Sequence, residues 1–255
     1  YKEGADVIKI TATGGVMSLA KDGLRPQFTA EEIQAVIETA TDLGMTTAAH
    51  AHGSEGIKRA VMAGITSIEH GTMMTEEVMD LMKARGTWYV PTLSAGKFTE
   101  EKARVPGYYP AIVAQKALAV SPLMMNTFRT AIGRGVNVAF GTDAGVSPHG
   151  DNAKEFAYML EGGMTPMAAI QSATVSASRL LGMEKELGTL EAGKFADLVV
   201  LDGNPLEDIR ATADTAMVMV NGRLFDTATM AEIGGQQAPA PTFFWQRHGA
   251  GQSYG

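Results

Sequence analysis

Four side chains in this sequence have the types that hold divalent metal ions, Lys9, His50, His70 and Asp143, and a fifth, His52, stands two residues beyond His50. There are only five histidines in 255 residues and no cysteine, so thiolate ligands and disulfides are excluded and His, Asp, Glu and Lys remain. Neutral imidazoles and a carboxylate bind zinc-like ions, and two ions about 3.5 to 4 Å apart can hold a shared hydroxide. Two neighbouring cations also require an anionic bridge. A lysine amine has an ordinary pKa of about 10.4, burial beside cations lowers it, and the neutral amine can add carbon dioxide. A carbamylated Lys9 would then offer two bridging oxygens.

Such a site needs elements that bring these residues together. "DVIKITATGG" (6–15) reads as a buried strand ending in glycines, and "FTAEEIQAVIETATDLG" (28–44) as a helix opened by the capping box Thr29-x-x-Glu32 and stopped at Gly44. Strands follow at 45–50, 65–69, 87–92 and 136–141, and helices at 54–63, 75–85, through much of 99–134, at 152–162 and at 165–181. Strands leading repeatedly into helices are the pattern of parallel βα units, whose chemistry gathers at the C-terminal strand ends. Lys9 lies within the first strand, and His50, His70 and Asp143 end the second, third and fifth. After Gly182, "GTLEAGKFADLVVLDGNP" and "TAMVMVNGRLF" read as short strands with Gly, Pro and Asn-Gly turns. The expected organisation is an α/β barrel part over 1–182, a β-module over 183–233 and an extended tail over 234–255, whose Phe243-Phe244-Trp245 cluster is expected to dock, another copy of the chain being one candidate surface.

Composition narrows the partners. With 45% hydrophobic and 19% charged residues the chain can bury a sizeable core, and its net charge of −7 without a basic cluster argues against nucleic acid. No run approaches the roughly 18 to 20 apolar residues that span a bilayer, and the first residues lack a signal-peptide pattern. A small-molecule or peptide substrate fits better. The compartment stays open, cytoplasmic, periplasmic or secreted.

Taken singly, each site residue also has a structural reading. Lys9 could point outward, although a parallel strand covered on both faces leaves little water for an unpaired lysine. His50 or His70 alone could be a hydrogen-bonded strand end, and Asp143 could cap a turn. The joint placement on four strands favours the site.

The stretches "GADVIKITATGG", "HAHGSEGIKRAVMAGITSIEHG", "WYVPTL", "GTDAG" with "PHG", and "GTLEAGKFADLVVLDGNP" together resemble the amidohydrolase superfamily over about residues 1–225. The nearest group is the metal-dependent Xaa-Pro dipeptidase and imidazolonepropionase-like hydrolases, which include carboxypeptidase-like enzymes and ochratoxin-hydrolysing amidases. The resemblance implies a (β/α)8 TIM barrel with a small appended β-sandwich module and a binuclear centre holding two divalent ions, Zn2+ by expectation. It implies that Lys9 is the carbamylated bridging ligand of the fourth barrel strand and that His50 and His70 are ligands on strands five and six. Asp143 would be the strand-eight aspartate, a metal contact and the general base and then acid. His52 would face the substrate. His149 and Arg25 ("GLRPQFT") are further candidates for a substrate carboxylate.

One departure accompanies the match. The family holds its first ion with a His-x-His pair on strand one, and no such pair precedes Lys9. The chain, which starts without Met, is therefore expected to carry about strands 4–8, with an upstream segment supplying strands 1–3 and that pair. The expected activity is hydrolysis of an amide or peptide bond in a dipeptide or N-acyl amino acid through a metal-bridging hydroxide, in an enzyme expected to be a homo-oligomer. A cyclic amide or amidine hydrolase or deaminase is the alternative within the superfamily, and a metal-free inactive scaffold the alternative outside it.

Overall fold

A computed structural model describes residues 4–19 and 24–234. Its first layer is a parallel sheet in the order β1 (Val7–Thr11), β2 (Thr46–Ala51), β3 (Ser67–His70) and β4 (Trp88–Val90). Spatial order follows chain order, so each strand is joined to its neighbour by a helical crossover: α1 (Ala30–Asp42), α2 (Ser54–Ala63) and α3 (Glu76–Arg85). Local chemistry starts these helices close to where the sequence predicts. The Thr29 amide donates to Glu32 Oε2 at 2.8 Å while the Glu32 amide donates to Thr29 Oγ1 at 3.2 Å, and the Thr75 hydroxyl caps α3. The apolar stripes of these helices, including Ile33, Ile57, Val61, Val78 and Met82, close onto Ile10, Ala49, Ile68 and Tyr89 in one core.

Two expectations about the strands are corrected. Lys9 is not covered on both faces: Val7, Lys9 and Thr11 share an exposed face of β1. Among the described residues β1 pairs with β2 alone and so stands at the edge of the sheet that they form. Residues 136–141 likewise form no regular strand. They join β4 only around Tyr89, whose amide donates to the Asn137 carbonyl at 2.8 Å and whose carbonyl accepts from the Ala139 amide at 3.0 Å. Pro91 has no N–H to extend the ladder from β4, and the Phe140 amide turns to the Ser172 carbonyl at 3.0 Å instead.

The helix-rich stretch resolves into α4 (Leu93–Ala103), which begins earlier than the predicted 99, and α5 (Ala111–Arg134). A 3-10 turn at Asp151–Ala153 leads into α6 (Lys154–Glu161). The predicted helix 165–181 is broken into α7 (Pro166–Gln171) and α8 (Ala177–Leu180) by a π turn over Ser172–Ser176. The first residue of that wider turn, Ser172, supplies the carbonyl that accepts from the Phe140 amide. Beyond Gly182, β5 (Leu198–Leu201), β6 (Thr215–Val220) and β7 (Arg223–Asp226) form one antiparallel sheet, with the expected Asn221-Gly222 hairpin between the last two. Only one layer of the expected sandwich is present among the described residues. Phe243-Phe244-Trp245, His248 and nearly all of the tail lie outside them. No described helix is long and apolar enough to cross a membrane.

Glu155, in the first turn of α6, is fully buried. Its carboxylate accepts from the Leu93 amide at 2.9 Å and from both the Ser94 amide and the Ser94 hydroxyl at 2.6 Å, so it closes the N-terminal turn of α4 from 62 residues away.

Near the site α2 comes close to the end of β1. A Cβ on Gly56 would stand 2.4 Å from Thr13 Cγ2 and 3.0 Å from the Ala12 carbonyl oxygen. Gly56→Ala is therefore expected to lower stability by about 1 to 3 kcal/mol, visible as a lower urea midpoint at an unchanged denaturant slope.

Candidate active site

Parallel pairing carries the strand ends to one rim. Thr11 is paired with His50, and Ala51 with His70. Three imidazoles meet there, with ring centres 4.8 Å apart for His50 and His52, 4.6 Å for His50 and His70, and 5.1 Å for His52 and His70. They line a cavity of about 230 Å³ together with Asp143, Gly15 and the α4 residue Gly96.

Each ring is held from behind. Nδ1 of His52 shares a hydrogen bond of 2.8 Å with the Thr72 hydroxyl, and Nδ1 of His70 one of 2.7 Å with the Thr92 hydroxyl. The His52 amide donates to Thr13 Oγ1 at 2.9 Å, and the Tyr89 hydroxyl donates to the His70 carbonyl at 3.0 Å. His50 differs: its Nε2 is buried and has no hydrogen-bond partner. Gly15 sits over that nitrogen, where a Cβ would stand 3.4 Å away.

Burial keeps all three rings neutral. It is the largest cause for each, lowering His50, taking His52 down to about 3 and lowering His70 well below the ordinary value. Neighbouring charge adds to this. His50 and Lys116 act on His52, while His52, His50 and Lys9 act on His70. For His50 a hydrogen bond to the Gly14 backbone and the Asp143 carboxylate oppose burial, and Lys9 reinforces it. Lys9 and Asp143 therefore stand within electrostatic reach of the histidines.

The strand ends are also strained. His70, Thr92 and Asp143 lie in the left-handed region, at φ 69°, 49° and 53°. Each such non-glycine residue costs on the order of 1 to 3 kcal/mol and persists where its surroundings impose it.

The sequence-predicted residues divide. His50, His52, His70 and Asp143 share the cavity, with Lys9 near it, whereas His149 and Arg25 do not line it and are exposed. Among the described residues no three His, Asp or Glu side chains stand close enough to hold an ion by themselves. The chemistry of the donors nonetheless fits a metal: the rings are neutral, two have Nδ1 fixed by a hydroxyl, and the buried His50 Nε2 lacks any other partner. Thr72 and Thr92 were not singled out in the sequence. Their only signal is position, in "EHGTMM" and "WYVPTL" just after strand ends.

The sequence profile of the amidohydrolase family matches residues 1–225. The chain belongs to the amidohydrolase family. This amidohydrolase is 38% identical over 229 residues to the ochratoxinase of Aspergillus niger, covering 88% of the chain and 47% of that relative. It matches the crystal structure of a Xaa-Pro dipeptidase with bound methionine in the active site at 55% identity and a TM-score of 0.87, covering 89% of the chain and 56% of that structure. It is also 30% identical over 219 residues to the 5-methylthioadenosine/S-adenosylhomocysteine deaminase of Moorella thermoacetica, covering 77% of the chain and 50% of the deaminase. The amidohydrolase chain thus spans about half the length of the relatives it matches.

The buried neutral rings make the metal-free fold acid-sensitive. The unfolded chain takes up histidine protons near the ordinary 6.5, whereas folded His52 takes one only at about 3. Between these values the unfolded state binds more protons, so the stabilising effect is complete above 6.5 and is lost as pH falls towards 3. In chelator-treated protein the unfolding free energy is expected to drop between about pH 7 and about pH 5. His52→Gln should remove about 2 kcal/mol of that drop in urea titrations.

Proposed function

We propose that this chain carries the C-terminal half of a metal-dependent hydrolase that cleaves an amide or peptide bond in a dipeptide or N-acyl amino acid. The observation that carries the reading is the buried, unpartnered Nε2 of His50 beside two other neutral imidazoles at the C-terminal ends of parallel strands. In the reading His50, His70 and Asp143 would be ligands of a centre of two divalent ions, Zn2+ by preference, and Lys9, as a carbamate, would supply its shared anionic ligand. A segment upstream, with the remaining barrel strands and a His-x-His pair, completes the ligand set and covers the open face of β1.

Divalent ions so held supply Lewis acidity, polarising the scissile carbonyl and lowering the pKa of water. The protein's own residues do the rest. Asp143, at a strained strand end in the cavity wall, accepts the proton of the attacking water and returns it to the leaving amine. His52, buried and neutral, presents its free ring edge to the substrate carbonyl or carboxylate. The Thr72 and Thr92 hydroxyls fix the His52 and His70 rings, so no reorientation is needed when substrate arrives. The names of two relatives, an ochratoxinase and a Xaa-Pro dipeptidase, support amide cleavage, and the deaminase supports the alternative of attack on an amidine carbon.

The full-length protein is expected to retain about two divalent ions per chain and to hydrolyse N-acyl amino acids or dipeptides rather than deaminate aminopurine nucleosides. Lys9→Ala should lose both metal and turnover. His52→Ala should keep its metal, measured by elemental analysis, and change its substrate preference. Protein with no bound metal, and activity indifferent to chelator and to added zinc, would overturn the reading.

A further inference from the structure

Glu155 is expensive to keep where it is. Burial pushes its carboxyl up to about 7, even though hydrogen bonds from Ser94 and Leu93 pull the other way. The folded state thus binds its proton more tightly than the unfolded chain, and the contribution of the group to stability falls as pH rises from its ordinary 4.5 through 7. A helix N-terminus can be closed more cheaply by Ser, Thr or Asp from its own chain. The residue that stands at that place in α4 is Thr92, and its hydroxyl does not cap the helix. It is engaged instead by His70 Nδ1 at 2.7 Å, with the Thr92 backbone held at φ 49°.

We propose that Glu155 is a positioning residue: by fastening the first amides of α4 it fixes Thr92 in its left-handed conformation, and through the Thr92 hydroxyl it sets the orientation and tautomer of the His70 ring. The chain of contacts is continuous. Glu155 binds the amides of Leu93 and Ser94, the two residues after Thr92, and Thr92 binds the ring. His70 is meanwhile anchored at its carbonyl by the hydroxyl of the fully buried Tyr89, leaving ring rotation as the freedom that Thr92 removes. The same segment reaches the other wall of the cavity, where the Asn152 side-chain amide donates to Thr142 Oγ1 at 3.2 Å, next to Asp143. The start of α6 therefore ties together two strand ends that are distant in the chain. A solvent-facing glutamate could do none of this.

The consequence for metal binding rests on the hydrolase reading above, but the consequence for the ring does not. In full-length protein, Glu155→Gln keeps the shape of the side chain and turns one acceptor into a donor facing an amide. The expected result is folded protein in which the His70 ring nitrogens, assigned in 15N NMR by their loss in His70→Gln, change from one tautomer to a mixture. Zinc affinity, read by competition with a chelator, should fall about 10- to 100-fold. Thr92→Val should reproduce both changes and Thr92→Ser should restore the wild-type values.

A merely structural role predicts something else: a lower melting temperature, with ring signals and zinc affinity unmoved in the folded protein. That result overturns the proposal. If Glu155→Gln does not fold, Ser94→Ala, which removes one of the three bonds to the carboxylate, carries the same expectation at smaller size, and unchanged ring signals there overturn it too. Wild-type protein that holds no zinc and cleaves no amide sinks the hydrolase reading instead, and the His70 signals still decide the role of Glu155.

Discussion

The cavity exists because four strands run parallel without a slip in register. Side chains alternate along a strand, so a shift of one residue in β2 would turn His50 from the rim into the helical layer, whereas His70 shares the parity of Ile68 and stands at the rim where its backbone turns left-handed. The pairs Thr11 with His50 and Ala51 with His70 place the ends of three strands at one level. The helices defend this register. Gly56 lets α2 lie against the end of β1, and the core residues of α2 and α3 lock onto the face of the sheet that carries Ile10, Ala49 and Ile68.

Once gathered, the imidazoles constrain one another. Rings whose centres stand about 5 Å apart in a buried pocket cannot all carry charge, and burial itself favours the neutral form. Neutral rings are good metal donors, but each has two inequivalent nitrogens and could present the wrong one. Hydroxyls from the next strand ends resolve that choice: Thr72, after β3, serves His52 from β2, and Thr92, after β4, serves His70 from β3. The ring at each of these two strand ends is thus oriented by the neighbouring strand, and the orientation is a property of the sheet rather than of any single loop.

Much of this was legible in the sequence, and what was not has a common cause. The span of α2 follows from its apolar spacing and its flanking glycines, and the histidines at strand ends follow from where the β-rich runs stop. The exposure of Lys9 differs from expectation because it depends on whether a strand lies beyond β1, which "VIKI" does not encode. Residues 136–141 have strand composition, but the proline at 91 shortens the strand they would pair with, and the π turn at Ser172 takes one of their amides. Glu155 stands in "NAKEFAYMLEG" like any glutamate on an amphipathic helix, and only a helix start 62 residues earlier makes it a buried acceptor. Thr72 and Thr92 are hidden for the same reason. Local pattern identifies groups that act within their own element, and misses those whose partner comes from elsewhere in the chain.

The left-handed backbone at His70, Thr92 and Asp143 has an evolutionary side. Glycine would relax each of these positions, and at each it would delete the imidazole, the hydroxyl or the carboxylate on which the cavity depends. For this chain the easiest steps towards a more comfortable fold are therefore also steps towards a blank one. A descendant freed from its chemistry should drift to glycine at these three sites first, leaving the sheet intact around an empty rim.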